Sequence, residues 1–401
     1  MAGNDPNSTI QELLKQPREK RLKAFREFKV KHPLLKKAYD ELRRAVRDSR
    51  PGSLIFIYGP AGVGKTTLLE GINRYVTEMM FGEMKKDPER IPVITLQLIA
   101  PTSGNFDWKD YFKRLLVELD EPLADHKIDI ERWATTIQHT HLDKSQTGTR
   151  LILNDGSSTS NMRFASEQAL RHRKPLVVLL DDAQHLGIIG SGRRLLDQLN
   201  TIKSIGDKSL ITHCLCGTYE LMPLRNLNGQ LSRRSIDIHF GRYHARNKAH
   251  QETFKSVLNT FQQRLPLAEQ PDLVSMWDFF YERSIGCIGV LKDWLTLSLA
   301  FALESNSRTI TVEHLEHHAP SVAQCTTMLR EAVDGEKELE EVAGTRALLR
   351  TTLGLEPELS RGAQEDYSIA DSRQTNEKNA TRRKHRVGAR KPVRDKVGTV
   401  I

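Results

Sequence analysis

Eight consecutive residues, Gly59-Pro60-Ala61-Gly62-Val63-Gly64-Lys65-Thr66, match the spacing Gly-x-x-x-x-Gly-Lys-Ser/Thr in full. A stretch of this kind can hold phosphate. Its glycines let the main chain curl until several N–H groups face one point, and a helix starting at its end adds the positive end of its dipole. Lys65 would reach the β- and γ-phosphates of a nucleotide and the Thr66 hydroxyl would ligate Mg²⁺, so Gly59 to Thr67 form the candidate binding set. Further along, Leu176-Val177-Val178-Leu179-Leu180 ends in Asp181-Asp182. A buried strand that delivers a carboxylate at its C-terminal tip is what the metal side of such a site requires. Asp181 is therefore the candidate metal-side ligand beside Thr66, and Asp182 the candidate for orienting or activating the attacking water.

These residues need a scaffold, and the hydrophobic pattern describes one. Leu54–Tyr58 is a short β-rich run leading into the Gly-rich loop, and Thr66–Met80 is a helical stretch. Ile91–Ile99 reads as a second strand, Phe106–Leu119 as a helix, and Leu176–Leu180 and Leu210–Leu215 as strands buried on both faces. Strands alternating with helices imply a mainly parallel sheet covered by helices. Residues 120–160 are polar, with Trp133 the anchor of a further helix. From about 245 the strand signal ends, and His250–Leu265, Asp272–Arg283, Gly289–Leu303 and Thr311–His317 read as four helices. The expected organisation is a basic N-terminal helical segment (1–50), a P-loop ATPase domain (51–244), a helical lid (245–320), a helical extension (321–359) and a disordered basic tail (360–401).

The whole chain of 401 residues carries a net charge of +9. That charge is concentrated at its ends, since residues 14–50 and the run around Arg382-Arg383-Lys384-His385-Arg386 are strongly basic. Basic clusters of this sort find polyanions or acidic protein surfaces, and otherwise serve as solvated faces. No apolar run is long enough to span a bilayer, and four cysteines fit a reducing compartment better than a disulfide framework. Cys214-x-Cys216, His139-x-His141, His172 and His317-His318 lack partners at metal-binding spacing, and Ser157-Ser158-x-Ser160 has no nucleophile context.

Lys65, the run Asp181-Asp182-Ala183-Gln184-His185-Leu186 and Leu215-Cys216-Gly217-Thr218 together resemble AAA+ ATPases of the TniB/TnsC type, the ATP-dependent regulators of DNA transposition. Asp107-Trp108-Lys109-Asp110-Tyr111-Phe112, Leu231-Ser232-Arg233-Arg234 and Gly286-Cys287-Ile288-Gly289-Val290-Leu291 agree with it, over roughly residues 30–320. The resemblance implies an ATP- and Mg²⁺-dependent homo-oligomer, a ring or helical filament, assembled on duplex DNA through backbone contacts. Such an assembly links a target-site selector to transposase subunits in the bacterial cytoplasm, at the nucleoid, with no membrane involved. It further implies that Thr218 is the polar sensor residue and that Arg233, with Arg234 as its alternative, is the finger reaching a neighbour's γ-phosphate. Lys109 and, more weakly, Lys127 fall where DNA contacts are made. Two departures accompany it: Asp182 stands where the family carries Glu, and Val290 where a second sensor Arg is common. Lys292 would point roughly 200° away from that position on a helix. Two other readings stay open, a nucleotide-gated DNA-binding scaffold with negligible hydrolysis and an initiator- or loader-type AAA+ ATPase.

Overall fold

The computed structural model describes residues 6–101, 105–120, 158–187, 192–225, 235–339 and 343–355. Five strands, β1 (Leu54–Tyr58), β2 (Val93–Gln97), β3 (Val177–Asp181), β4 (Thr212–Gly217) and β5 (Ser235–His239), form one all-parallel sheet. Its order is β2-β3-β4-β1-β5. Four of these strands were legible as apolar runs. Strand β5 was not, because its apolar residues alternate with Ser235, Asp237 and His239, which remain partly or fully exposed. The helices Thr159–Arg173 and Gly192–Ser209 were likewise not read from the sequence. Trp133 and the tail from 356 onward lie outside the described residues.

Successive side chains of the central strands point to opposite faces, and both faces are covered. Leu54, Phe56, Val178, Leu180 and Leu215 pack under the helices Trp108–Glu118, Thr159–Arg173 and Gly192–Ser209. Ile55, Ile57, Val177, Leu179, Cys214 and Cys216 pack on the other side, against Pro33–Asp48 and Lys65–Met84. This is why β1, β3 and β4 read as near-continuous apolar runs. A third core joins Phe254, Phe261, Phe280, Trp294 and Leu299 of the helices from 248 onward, and it includes Phe25 from the N-terminal helix Arg18–Glu27. Residues 1–340 form one compact unit and 341–401 a second, of which the helix Ala343–Thr352 is described. Among the described residues, no single helix is long and apolar enough to cross a membrane.

The strand order decides what meets at the carboxyl edge. Because β4 lies between β1 and β3, the residue that follows it, Thr218, comes between the loop after β1 and the carboxylates after β3. Open parallel sheets bind ligands at this edge.

Candidate nucleotide-binding site

Residues 59–64 leave β1 and curl back before the helix Lys65–Met84 begins. The curl uses left-handed backbone at Gly62 (φ +75°) and Gly64 (φ +107°), a conformation a side chain would strain. Lys65 Nζ lies inside the loop, donating to the carbonyls of Gly59 at 3.1 Å and Pro60 at 2.9 Å. Burial lowers its pKa, with Asp181 and Asp182 among the anionic neighbours acting the other way.

Opposite the loop, the buried Asp181 accepts a hydrogen bond from Thr66 Oγ1 at Oδ2, 2.8 Å away. A hydroxyl and a carboxylate at this separation form a pair of hard oxygen donors suited to Mg²⁺. Asp182 follows with a left-handed backbone (φ +52°). Its Oδ2 accepts from Gln97 Nε2 at 2.9 Å and its Oδ1 from Gln184 Nε2 at 3.2 Å. Gln184 also accepts from the Thr218 N–H at 3.3 Å, while Thr218 Oγ1 is buried without a partner among the described residues. Asp182 and Thr218 were candidates from the sequence, whereas neither glutamine was. Gln97 ends β2 and Gln184 lies in a short 3₁₀ turn, and neither position carries a local pattern that announces it.

A cavity of about 520 Å³ opens from the loop and Asp181 toward residues contributed from elsewhere in the chain. The helix Ile288–Glu304 aims its first N–H groups at the loop: Gly289 N donates to Gly62 O at 2.6 Å and Val290 N to the same oxygen at 3.3 Å. A Cβ on Gly289 would come within 2.4 Å of that oxygen, so glycine is required there. Val290 packs on Gly62, and no cation stands at this position. On the far side the cavity is walled by Phe28, Val30, His32 and Leu35. His32 caps the helix Pro33–Asp48, its Nδ1 accepting from Leu35 N at 3.4 Å and lying 2.9 Å from the Tyr243 hydroxyl. Burial holds its pKa down to about 4, which keeps the ring neutral at neutral pH. The N-terminal segment is thus part of the wall of this cavity and not a separate arm.

The flank beside Thr218 is closed by the helix Val322–Leu339. Gly335 meets the Tyr219 ring, and Glu336 receives two hydrogen bonds from Arg242, at 2.9 and 3.0 Å. Lys109 sits in the first turn of Trp108–Glu118, outside the cavity, with Asp107 Oδ1 accepting from its N–H at 2.9 Å. Lys127, Arg233 and Arg234 lie outside the described residues. Cys214, Cys216, Cys287 and Cys325 are buried free thiols, and burial raises the pKa of each.

A phosphate-binding loop after the first strand, a carboxylate after the third, a polar residue after the fourth and a helical part closing over them define an AAA+ P-loop ATPase fold. Residues 47–224 match the family model described as AAA domain. No curated protein matches the chain. The ORC2 protein of Aeropyrum pernix in its ADP form is similar at 15% identity, covering 86% of this chain and 79% of its own, with a TM-score of 0.47. A Walker-type ATPase of Pyrococcus abyssi is similar at 15% identity over 79% of this chain and 75% of its own, with a TM-score of 0.39. Drosophila ORC bound to DNA is similar at 12% identity over 88% of this chain and 75% of its own, with a TM-score of 0.36. Likenesses of this order say nothing of this chain's substrates or partners.

Proposed function

We propose that the chain is an ATP-dependent regulator of DNA transposition, which assembles with ATP on duplex DNA, links a target-site selector to transposase and is reset by hydrolysis. The observation that carries the ATPase part is the 2.8 Å approach of Thr66 Oγ1 to Asp181 Oδ2 across from Lys65 in its loop. In this reading Gly59 to Thr67 hold the triphosphate, Lys65 neutralises its β- and γ-phosphates, and Thr66 and Asp181 hold Mg²⁺. Mg²⁺ held there would supply Lewis-acid stabilisation of negative charge on the phosphate oxygens. Asp182 orients the attacking water and Thr218 points its unpartnered hydroxyl toward the γ-phosphate. The two glutamine N–H groups take one acceptor site on each oxygen of the Asp182 carboxylate and leave lone pairs for a water.

The transposition part rests on the ordered set of motifs resembling the TniB/TnsC type. Arg233 of one copy completes the site of the next, and Lys109 with Lys127 contacts the DNA backbone, giving sequence-independent affinity that falls with salt. Sedimentation with duplex DNA and a non-hydrolysable ATP analogue tests this. Wild type is expected to form large assemblies that Lys65→Ala and Arg233→Ala do not form. A wild type that stays monomeric on DNA with every nucleotide would remove the mechanism and favour the initiator-like reading.

A further inference from the structure

Lys292 has no part in the phosphate chemistry, yet it borders the same cavity. It lies one turn into the helix whose first N–H groups hold Gly62, and its side chain reaches the helix Arg18–Glu27. The ammonium sits 3.5 Å from the centroid of the Phe25 ring, 5.5 Å from that of Phe261 and 5.8 Å from that of Phe28, and donates to the Phe25 carbonyl. A cation over aromatic faces is attracted by their negative quadrupoles, and more so when desolvated. Burial nevertheless holds its pKa down to about 7, opposed by the neighbouring Asp293. An apolar side chain would fill this cage without that desolvation cost, so packing alone does not explain a lysine here.

What the cage fastens is a strap. Upstream, Arg21 donates to the Pro266 carbonyl at 2.5 and 3.0 Å and Arg18 pairs with Glu304 at 3.3 Å, which holds the helix Arg18–Glu27 on the helical part. Downstream, Lys29 pairs with Glu70, and Tyr39 meets Tyr75 edge-on, which holds the chain on the P-loop helix. Residues 28–32 therefore cross from one part to the other along the cavity wall. Resting on the nucleotide reading above, we infer that Lys292 is a positioning residue that latches this strap to the helical part and so shapes the end of the cavity that receives the nucleoside, away from the phosphates.

Calorimetric titration of the full chain with MgATP and with magnesium tripolyphosphate, which lacks a nucleoside, tests it on wild type, Lys292→Met, Lys292→Arg and Lys65→Ala. Lys292→Met is expected to weaken ATP binding roughly 3- to 30-fold, in line with the strength of a desolvated cation–π contact. Tripolyphosphate binding should change by less than about twofold, which also reports a folded loop, and Lys292→Arg should recover most of the ATP affinity. Unchanged ATP affinity in Lys292→Met, or equal loss for both ligands, overturns the inference. Equal binding of ATP by wild type and Lys65→Ala would instead sink the nucleotide reading, and this inference with it.

Discussion

The two ends of the cavity are assembled differently. At the phosphate end, Lys65, Thr66, Asp181 and Thr218 all sit at or just beyond the C-terminal tips of adjacent strands, where a parallel sheet fixes their spacing. At the other end and along the flank, the walls come from segments far apart in sequence: residues 26–35 on one side and the helix Val322–Leu339 on the other. Side-chain contacts there span long separations, as between Phe25 and Lys292 or Arg242 and Glu336. A rigid frame suits groups that must meet a phosphate within a fraction of an ångström. The other walls are held instead by side-chain contacts between segments far apart in the chain.

The largest effect should fall at the frame. Lys65→Ala is expected to lower ATP turnover by about 100-fold or more, because no second cation approaches the loop carbonyls among the described residues. A steady-state phosphate assay checks it, and a loss under about tenfold would mean the phosphate end is not organised around Lys65. Asp182→Asn should reduce turnover to a similar degree, about 100-fold, while leaving ATP affinity within about twofold. An equal loss of affinity would make Asp182 a binding group and erase the division between holding and reacting.

Breaking the flank tests the opposite side of the comparison. A Cβ on Gly335 would come within 2.1 Å of the Tyr219 ring, so Gly335→Leu must push the helix Val322–Leu339 off its seat. The expected cost is about 1–3 kcal/mol, read as a lower midpoint in urea, with tripolyphosphate still bound. Loss of tripolyphosphate binding would show that the flank supports the frame directly.

Acid should act through two buried histidines. Burial holds both His32, in the cavity wall, and His213, in β4, down to about 4. Unfolded, each takes up a proton near 6.5, so between those values the unfolded chain binds more protons than the folded one. Stability therefore falls as pH drops from 6.5 toward 4, by about 3 kcal/mol for each group. Denaturation midpoints measured across this range should fall less steeply in His213→Leu, and an unaltered slope would count against that assignment. The smallest effect belongs to Lys109→Ala. It should weaken DNA binding uniformly across sequences and lower the salt slope by about one, with ATP affinity unchanged.

The same division governs what could be read from the sequence. Gly59 to Thr66 and the apolar run ending at Asp181 are local patterns with a direct physical meaning, and the β1, β3 and β4 strands around them are apolar because both faces are covered. Gln97 and Gln184 are ordinary polar residues until the sheet brings them to Asp182. Strand β5, no shorter than β1 or β3, alternates Ile236 and Ile238 with polar residues and so lacks the continuous apolar run that marks them. The aromatic cage of Lys292 was not legible, because it depends on residues far away in the sequence.

Multiple-turnover phosphate release, with and without duplex DNA, tests the central claim most directly. The account predicts that wild type hydrolyses ATP repeatedly, faster on DNA, and that Lys65→Ala and Asp182→Asn do not. ATP bound at the site with no phosphate released under either condition would contradict it, and would leave a nucleotide-gated scaffold in its place.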